Sequence, residues 1–357
     1  MDPRWRQLAN ILVNYSAQVT PGERVMLAMK EVHTLPLVRA VYEEVIKAGG
    51  YPQVQFLSDY LDHAKMRHGT PEQVAWVPEI EAYGMEWADV YLGLRGAHNL
   101  YETADVPADV LSAHRKAMGV ISTARWEKTR WCLIRVPDES FAQQAETDLD
   151  TMMDLFFNAT LQDWPAVARD WNHIAGILNQ GEQVHIVGRQ TDLSFSLKGR
   201  KWLVGDGKIN MPDGEIYTAP VTESVNGQIY FEFPAVLGGR LVPDLTLEWR
   251  DGELIKASAS RNEDFLREVL ATDEGATRIG EFALGTNYGI DRFTTDILLD
   301  EKIGGTIHIA LGRAYAVCGG TNESALHWDI VKDMRQEGTV TLDGKPILEN
   351  GRILIAP

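Results

Sequence analysis

The sequence predicts an α/β N-terminal domain with a mainly parallel sheet, followed by an α+β C-terminal domain with a largely antiparallel sheet. Its 357 residues exceed what one hydrophobic core usually supports, which favours two domains. Short apolar runs alternate with helical patterns in the first half, whereas short strands with close turns fill the second. This change in the pattern of predicted elements places the domain boundary near residue 180, which gives domains of 1–180 and 181–357.

The first half is typical of crossover units in a parallel sheet. A helix between its first two strands has apolar residues at three- and four-residue steps and ends at Gly49 and Gly50. The predicted strands are RVMLAM (24–29), PQVQF (52–56), DVYLGL (89–94), GVIST (119–123) and WCLIRV (131–136). Residues 140–178 are predicted to be helical. Neither GxxxxGK[ST] nor a GxGxxG motif after a strand occurs, so no nucleotide cofactor is expected.

The second half is typical of antiparallel sheet with little helix. One helix is predicted at NEDFLREVLAT (262–272). The predicted strands are QVHIVGR, TDLSFSLKG, EIYTAP, GQIYFEF, TLEWRDG, ELIKASAS and TIHIALG. The close turns between them allow neighbouring strands to run in opposite directions.

Composition excludes several classes of protein. The 51 acidic residues outnumber the 34 basic ones and give a net charge of −17, which disfavours a nucleic-acid partner. No apolar run approaches the roughly 20 residues of a membrane-spanning helix, so no membrane partner is expected. Only two cysteines occur, Cys132 and Cys318, which excludes a disulfide framework and favours a cytoplasmic location.

Two strands of the second half carry histidine among aliphatic residues. In ALHWDIV, side-chain alternation places His327 and Asp329 together on the face opposite Trp328. In TIHIALG, His308 lies opposite the face that carries the isoleucines. A structural role explains either histidine alone. Two imidazoles and a carboxylate on the polar sides of nearby strands instead predict a site for zinc, cobalt, manganese or iron(II).

Further oxygen donors occur in similarly uncharged surroundings. Glu215 opens the strand EIYTAP, and Glu281 lies between glycines and apolar residues in RIGEFALG. Each is a surface residue if taken alone. Together with the two histidines and the aspartate they make five ligands, which suit two divalent ions about 3.5–4 Å apart. Tyr315, in GRAYAVCGG, is either a partly buried aromatic residue or a phenol that donates a hydrogen bond to a developing oxyanion.

From about residue 190 to 345 the sequence resembles the thermophilic-type metallo-aminopeptidases, the aminopeptidase T or aminopeptidase II family. The matching segments are NMPDGEIYTAP, DEGATRIGEFALG, IHIALGRAY and NESALHWD, in the family's order. The family carries an α/β domain before this region. The chain departs from it by being shorter between Tyr315 and His327, which concerns the rim of the pocket and the substrate preference.

The resemblance implies a function and assigns roles by position. It makes Tyr315 catalytic, and it implies a homodimer with two divalent ions per chain (Zn²⁺, Co²⁺ or Mn²⁺) that releases N-terminal residues from peptides with a free N-terminus. The implied metal ligands are Glu215, Glu281, His308, His327 and Asp329. We further expect Glu281, or another carboxylate at the rim of the metal pair, to carry a proton to the leaving amine.

Two alternatives remain at this stage. His308, His327 and Asp329 alone form the two-histidine, one-carboxylate set of non-haem iron(II) enzymes, which would fit a ring-cleaving dioxygenase on a similar scaffold. This alternative leaves the two glutamates and Tyr315 without a role. The second alternative is a non-catalytic metal-binding relative. No HExxH and no GxSxG motif occurs, which argues against a zincin-type protease and an α/β serine hydrolase.

Overall fold

The computed structural model describes residues 2–356, which form two compact units. The first unit holds the residues up to Gln162 together with Gly207–Pro212. The second unit holds Asp163–Asp206 and the residues from Asp213 onward. The chain therefore leaves the second unit once, contributes a short segment to the first, and returns.

The helix Trp164–Leu178 groups with the second unit, although the sequence placed the boundary near residue 180. Local contacts explain this grouping. The backbone N–H of Trp202 donates a hydrogen bond of 2.9 Å to the side chain of Asn179, which follows the last turn of the helix. Trp164 and Trp171 are buried and pack edge to face, which gives this helix an apolar side of its own.

A five-stranded parallel sheet forms the centre of the first unit, as predicted. In spatial order its strands are Tyr51–Leu57, Arg24–Lys30, Val90–Arg95, Arg130–Arg135 and Asn210–Met211. The helices are Pro3–Asn10, Leu35–Lys47, Asp59–His68, Pro71–Val74, Glu79–Trp87, Ala108–Lys128, Glu139–Gln144 and Leu149–Thr160. A π-helical segment, Ile11–Ser16, continues the first helix. All residues between the ends of Arg24–Lys30 are buried, as expected for a parallel strand covered on both faces.

The predicted strand at residues 119–123 is wrong, because these residues lie within the helix Ala108–Lys128. The helix buries Ala117, Ile121 and Arg125, which are spaced four residues apart, and leaves Val120 exposed. Of the apolar residues in this run only Ile121 lies on the buried face, so the run is a segment of helix rather than a strand.

The second unit consists mainly of antiparallel sheets, which confirms the predicted fold class. The eight-stranded sheet has the order Glu253–Ser258, Thr246–Arg250, Asn226–Tyr230, Thr191–Ser196, Gln183–Gly188, Gly338–Leu342, Lys345–Glu349 and Arg352–Ile353. The five-stranded sheet has the order His327–Asp333, Thr306–Gly312, Ile279–Gly285, Glu215–Thr218 and Leu203–Gly205. A two-stranded ribbon pairs Ala235–Leu237 with Arg240–Val242, and the remaining α-helices are Glu263–Leu270 and Ile297–Asp300.

Of the two large sheets of the second unit, the five-stranded sheet is the better buried. Every residue of Ile279–Gly285 and Thr306–Gly312 is buried. On one face Phe282 packs edge to face against Phe195 and Trp202, with ring centroids 5.1 and 5.6 Å away. This aromatic core fixes the sheet and leaves its other face for polar side chains. Within residues 2–356, the chain forms no helix with the length and apolar character that a membrane crossing requires.

Candidate metal centre

The candidate site begins with three neighbouring strands at one side of the five-stranded antiparallel sheet of the second unit. The central strand Thr306–Gly312 is paired with Ile279–Gly285 on one side and with His327–Asp333 on the other, both antiparallel. Residues that lie opposite each other in such pairs share a face of the sheet. The register of the three strands therefore decides which side chains meet.

This register brings four of the five predicted ligands onto one face. Glu281 and Asp329 are both paired with Ala310, one on each side of the central strand. His308 lies two residues before Ala310, and His327 lies two residues before Asp329, so both histidines share that face.

The fifth predicted ligand lies on the same face, from the next strand. Glu215 is paired with Gly285, at the end of the strand that carries Glu281. Glu215 follows Gly214, whose φ of +136° favours glycine and whose added Cβ would lie 2.6 Å from the Cβ of Asn287. The turn before this strand therefore requires a glycine.

A β-bulge sets the position of Glu281. The register between the strands shifts between Ile279 and Glu281. A Cβ added to Gly280 would lie 2.3 Å from the carbonyl oxygen of Gly312 and 2.6 Å from that of Arg313, so only glycine allows this approach. Bulges of this kind redirect side chains at functional sites.

The donor atoms form two groups of three. In each group, one ligand atom from every residue lies within 4.8 Å of the others. The first group is Glu215, Glu301 and His308, and the second is Glu281, His327 and Asp329. Glu281 links the groups, because its carboxylate oxygens lie 3.5 Å from Nε2 of His308 and 3.4 Å from Nε2 of His327.

Both histidine rings are oriented through their Nδ1 atoms. Nδ1 of His308 lies 3.1 Å from the carbonyl oxygen of Glu301, and Nδ1 of His327 lies 2.8 Å from that of Arg313. A carbonyl oxygen only accepts, so each Nδ1–H donates and each Nε2 faces the carboxylates. Metal-ligating histidines commonly have this arrangement.

The buried nitrogen of His308 tests whether a cation fits this site. His308 is 1% exposed, and its Nε2 makes no hydrogen bond to any atom of residues 2–356. It lies 3.5 Å from Oε2 of Glu215 and 3.5 Å from Oε1 of Glu281. Once deprotonated, an imidazole nitrogen facing two carboxylates is a donor set that divalent metal ions bind. The residues present therefore fit a metal.

The electrostatics of the groups lead to the same conclusion. Burial raises the pKa of Glu215 well above its ordinary value, against the attraction of Lys302. Burial alone would lower the pKa of His308, but Glu281 and Glu215 outweigh it and raise this pKa to about 9. Asp329 and Glu281 likewise outweigh burial at His327 and raise its pKa to about 11. The carboxylates thus strongly favour positive charge at both imidazoles, which a bound cation would supply in place of protons.

Tyr315 lies at the edge of the second group. Its hydroxyl is 3.3 Å from Nε2 of His327, and its ring is 6.0 Å from that of Tyr217, edge to face. The residue is 37% exposed. Burial of the hydroxyl, followed by the charges of Glu281 and Asp329, raises the pKa of Tyr315, so the phenol keeps its proton and can donate it in a hydrogen bond.

The structure adds two residues that the sequence analysis did not identify. Glu301 joins the first group, and Lys302 is fully buried beside it. Both follow the short helix Ile297–Asp300. The signal in the sequence is the short charged run Asp300–Lys302, which stands between Leu299 and Ile303 in LLDEKIGG.

Comparison with known proteins shows the protein family of this chain. The family model described as thermophilic metalloprotease (M29) matches residues 1–353. The chain is 25% identical to aminopeptidase 2 of Geobacillus stearothermophilus, with 98% of each chain covered. The family resemblance inferred from the sequence is confirmed by this match.

Two solved structures share the fold. Wild-type AmpT from Thermus thermophilus superposes with a TM-score of 0.85 at 24% identity, covering 99% of each chain. A 2,5-dihydroxypyridine dioxygenase from Pseudomonas putida superposes with a TM-score of 0.59 at 13% identity, covering 99% of this chain and 97% of that one. At these identities the likeness shows the fold alone.

Proposed function

We propose that this chain, which belongs to the thermophilic metalloprotease family (M29), is an aminopeptidase that hydrolyses the N-terminal bond of peptides through a metal-activated water. One observation carries the proposal. Residues far apart in the sequence supply two adjacent groups of metal donors on one face of a buried sheet, with Glu281 between them. Two neighbouring donor groups are what a two-metal hydrolase requires.

The proposed ligands divide between two divalent ions, of zinc, cobalt or manganese. Glu215 and His308 would hold one ion, with Glu301 as a further ligand, while His327 and Asp329 would hold the other. Glu281 faces both groups. When bound, such ions supply Lewis-acid chemistry, which lowers the pKa of a water and polarises a carbonyl.

The side chains around the metal groups would handle the charges and protons of the reaction. The Tyr315 hydroxyl would donate a hydrogen bond to the oxyanion that develops on the scissile carbonyl. A carboxylate oxygen of Glu281 would carry the proton to the leaving amine. The acidic face as a whole would favour the ammonium group of a free N-terminus, which would restrict cleavage to the first residue.

Some finer expectations stay predictions. The resemblance implies a homodimer, and the low cysteine content favours a cytoplasmic location. That the metal is zinc, cobalt or manganese is likewise a prediction from the resemblance.

The dioxygenase alternative gains only a shared fold from the comparison with the dioxygenase structure. A single iron held by His308, His327 and Asp329 would leave Glu215 and Glu281 without a role. Both glutamates nevertheless lie within 3.5 Å of a histidine nitrogen on the same face of the sheet. The two-metal hydrolase uses all of these residues.

The deciding experiment measures metal content and aminopeptidase activity on the same samples. We expect about two divalent ions per chain, hydrolysis of aminoacyl anilides that stops with chelator and returns with zinc, cobalt or manganese, and no cleavage of N-acetylated substrates. Glu281→Gln should lose at least about 100-fold in activity, because it removes a charged ligand atom between the groups. Glu263→Gln, the same change on a surface helix, should leave activity unchanged.

Two results would overturn the proposal. One iron per chain without peptidase activity would favour the dioxygenase. Bound metal with no hydrolysis of any member of the aminoacyl panel would favour a non-catalytic relative.

A further inference from the structure

Lys302 is a fully buried cation beside the first metal group. Its side chain is 0% exposed, and it follows directly after Glu301 in the segment that leads into the central strand. Its Nζ contacts Oε1 of Glu301 and lies 3.7 Å from Oε1 of Glu215 and 4.0 Å from Oδ1 of Asp213. Burying an ammonium group is costly unless carboxylates compensate it, and here three carboxylates do so.

The two oxygens of Glu215 are divided between Lys302 and His308. Oε1 faces the ammonium of Lys302, whereas Oε2 lies 3.5 Å from Nε2 of His308. The lysine therefore sets the direction in which the second oxygen of Glu215 points. The contact with Glu301 acts in the same way on the neighbouring donor, whose backbone carbonyl also orients the ring of His308.

We propose that Lys302 is a positioning residue that supplies the positive charge of the first metal group when no metal is bound. This inference rests on the proposed metal function. In the metal-free protein, Lys302 compensates the charges of Glu215 and Glu301 and holds both carboxylates in the arrangement that the ion needs. The group is thus preorganised and folded before metal binds, and the lysine's charge weakens the affinity for the ion by competing with it.

The test compares the thermal unfolding of the metal-free and metal-saturated protein. In the metal-free form, Lys302→Met should lower the unfolding midpoint by roughly 10 °C, because it leaves buried carboxylates without their cation. In the presence of saturating zinc or cobalt the loss should be less than half as large, because the ion replaces the missing charge. Titration calorimetry should show zinc binding to Lys302→Met at least about tenfold more tightly than to the wild type.

Lys332 provides a matched control for loss of a buried lysine. Its side chain is also 0% exposed, and its Nζ lies 3.0 Å from Oε1 of Glu232 and 2.9 Å from the carbonyl oxygen of Tyr230. It is paired with Ile307, on the face of the sheet opposite His308. Lys332→Met should therefore lower the midpoint equally with and without metal.

The possible outcomes separate this inference from the proposed function. A wild-type midpoint that does not respond to zinc, cobalt or manganese contradicts the metal site itself. If the wild type responds, two results overturn only the role of Lys302. One is that Lys302→Met lowers the midpoint equally with and without metal, and the other is that Lys302→Met binds zinc more weakly than the wild type. If Lys302→Met folds only with metal, the proposal is supported. If it folds in neither form, Lys302→Gln, which keeps a hydrogen-bond donor without the charge, is compared in the same way, and equal losses again overturn it.

Discussion

Replacing Tyr315 with phenylalanine separates catalysis from metal binding and folding. The change removes one hydroxyl, which lies 3.3 Å from Nε2 of His327, and keeps the ring in contact with Tyr217. The residue is 37% exposed, so the loss of this hydrogen bond should cost no more than about 1 kcal/mol of stability. Removing one donor to a developing oxyanion typically lowers kcat by about 100- to 1000-fold, and we expect this effect here.

The assay is steady-state hydrolysis of an aminoacyl anilide at saturating metal, with metal content and thermal unfolding measured on the same preparations. For Tyr315→Phe we expect kcat to fall while KM, metal content and the unfolding midpoint stay close to those of the wild type. Tyr217→Phe is the matched control, because this tyrosine lies on the same face of the sheet with its ring 6.0 Å away. Its kcat should change by no more than about threefold, since a group that does not contact the developing charge contributes little.

Two results would refute the reasoning for Tyr315. If Tyr315→Phe retains a kcat within about threefold of the wild type, the phenol does not stabilise the transition state. If metal content falls in parallel with kcat, the hydroxyl supports the ion rather than the oxyanion.

Two further predictions concern the bulge and the first unit. Gly280→Ala should destabilise the protein by about 1–3 kcal/mol in urea unfolding, because its Cβ would lie 2.3 Å from the carbonyl oxygen of Gly312, and it should lower activity by about 100-fold by displacing Glu281. Burial opposes the ionisation of Asp138, but the contact with His33, whose Nε2 lies 2.8 Å from Oδ2 of Asp138, and the charge of Arg135 outweigh it and lower the pKa of Asp138 below 3.8. The ionised form therefore adds stability above that pH, and this stability is lost as the pH falls through the folded-state pKa. Asp138→Asn should therefore lower the urea midpoint at pH 7 and narrow its difference from the wild type when the pH is reduced to about 3.

A matched glycine change controls for the prediction about the bulge. A Cβ at Gly119, in the helix Ala108–Lys128, would meet nothing within 4 Å, so Gly119→Ala should leave activity unchanged and stabilise that helix by up to about 1 kcal/mol. If Gly280→Ala does not destabilise the protein, the role of the bulge is contradicted. A difference between wild type and Asp138→Asn that stays constant from pH 7 to about 3 would contradict the assigned pKa shift.

The sequence predicted the core of the candidate site because strand geometry is regular. Once His327 and Asp329 are placed on a strand, alternation puts them on one face, and antiparallel pairing brings His308 and Glu281 beside them. Local pattern thus predicted the shared face of His327 and Asp329, whereas the strand pairing and the bulge that bring His308 and Glu281 beside them came from the structure. Their roles as ligands stay proposals.

Glu301 and Lys302 were not predictable in the same way. They lie outside any strand, and an adjacent acid and base are usually exposed, because a fully buried lysine is rare. Their place in the site is set by the turn that precedes the central strand, which carries no periodic pattern. The wrong strand at residues 119–123 has a related cause, since a short apolar run fits a helix face as well as a strand.

The covalent path of the chain has a consequence for dividing the protein. The backbone passes between the two units after Gln162, after Asp206 and after Pro212. A fragment that stops at Gln162 lacks the edge strand Asn210–Met211, and a fragment that starts at Asp163 carries this strand without its neighbour Arg130–Arg135. A single cut after Gln162 therefore separates the strand Asn210–Met211 from the sheet to which it belongs, so the division or exchange of either unit must take account of all three points at which the chain passes between the units.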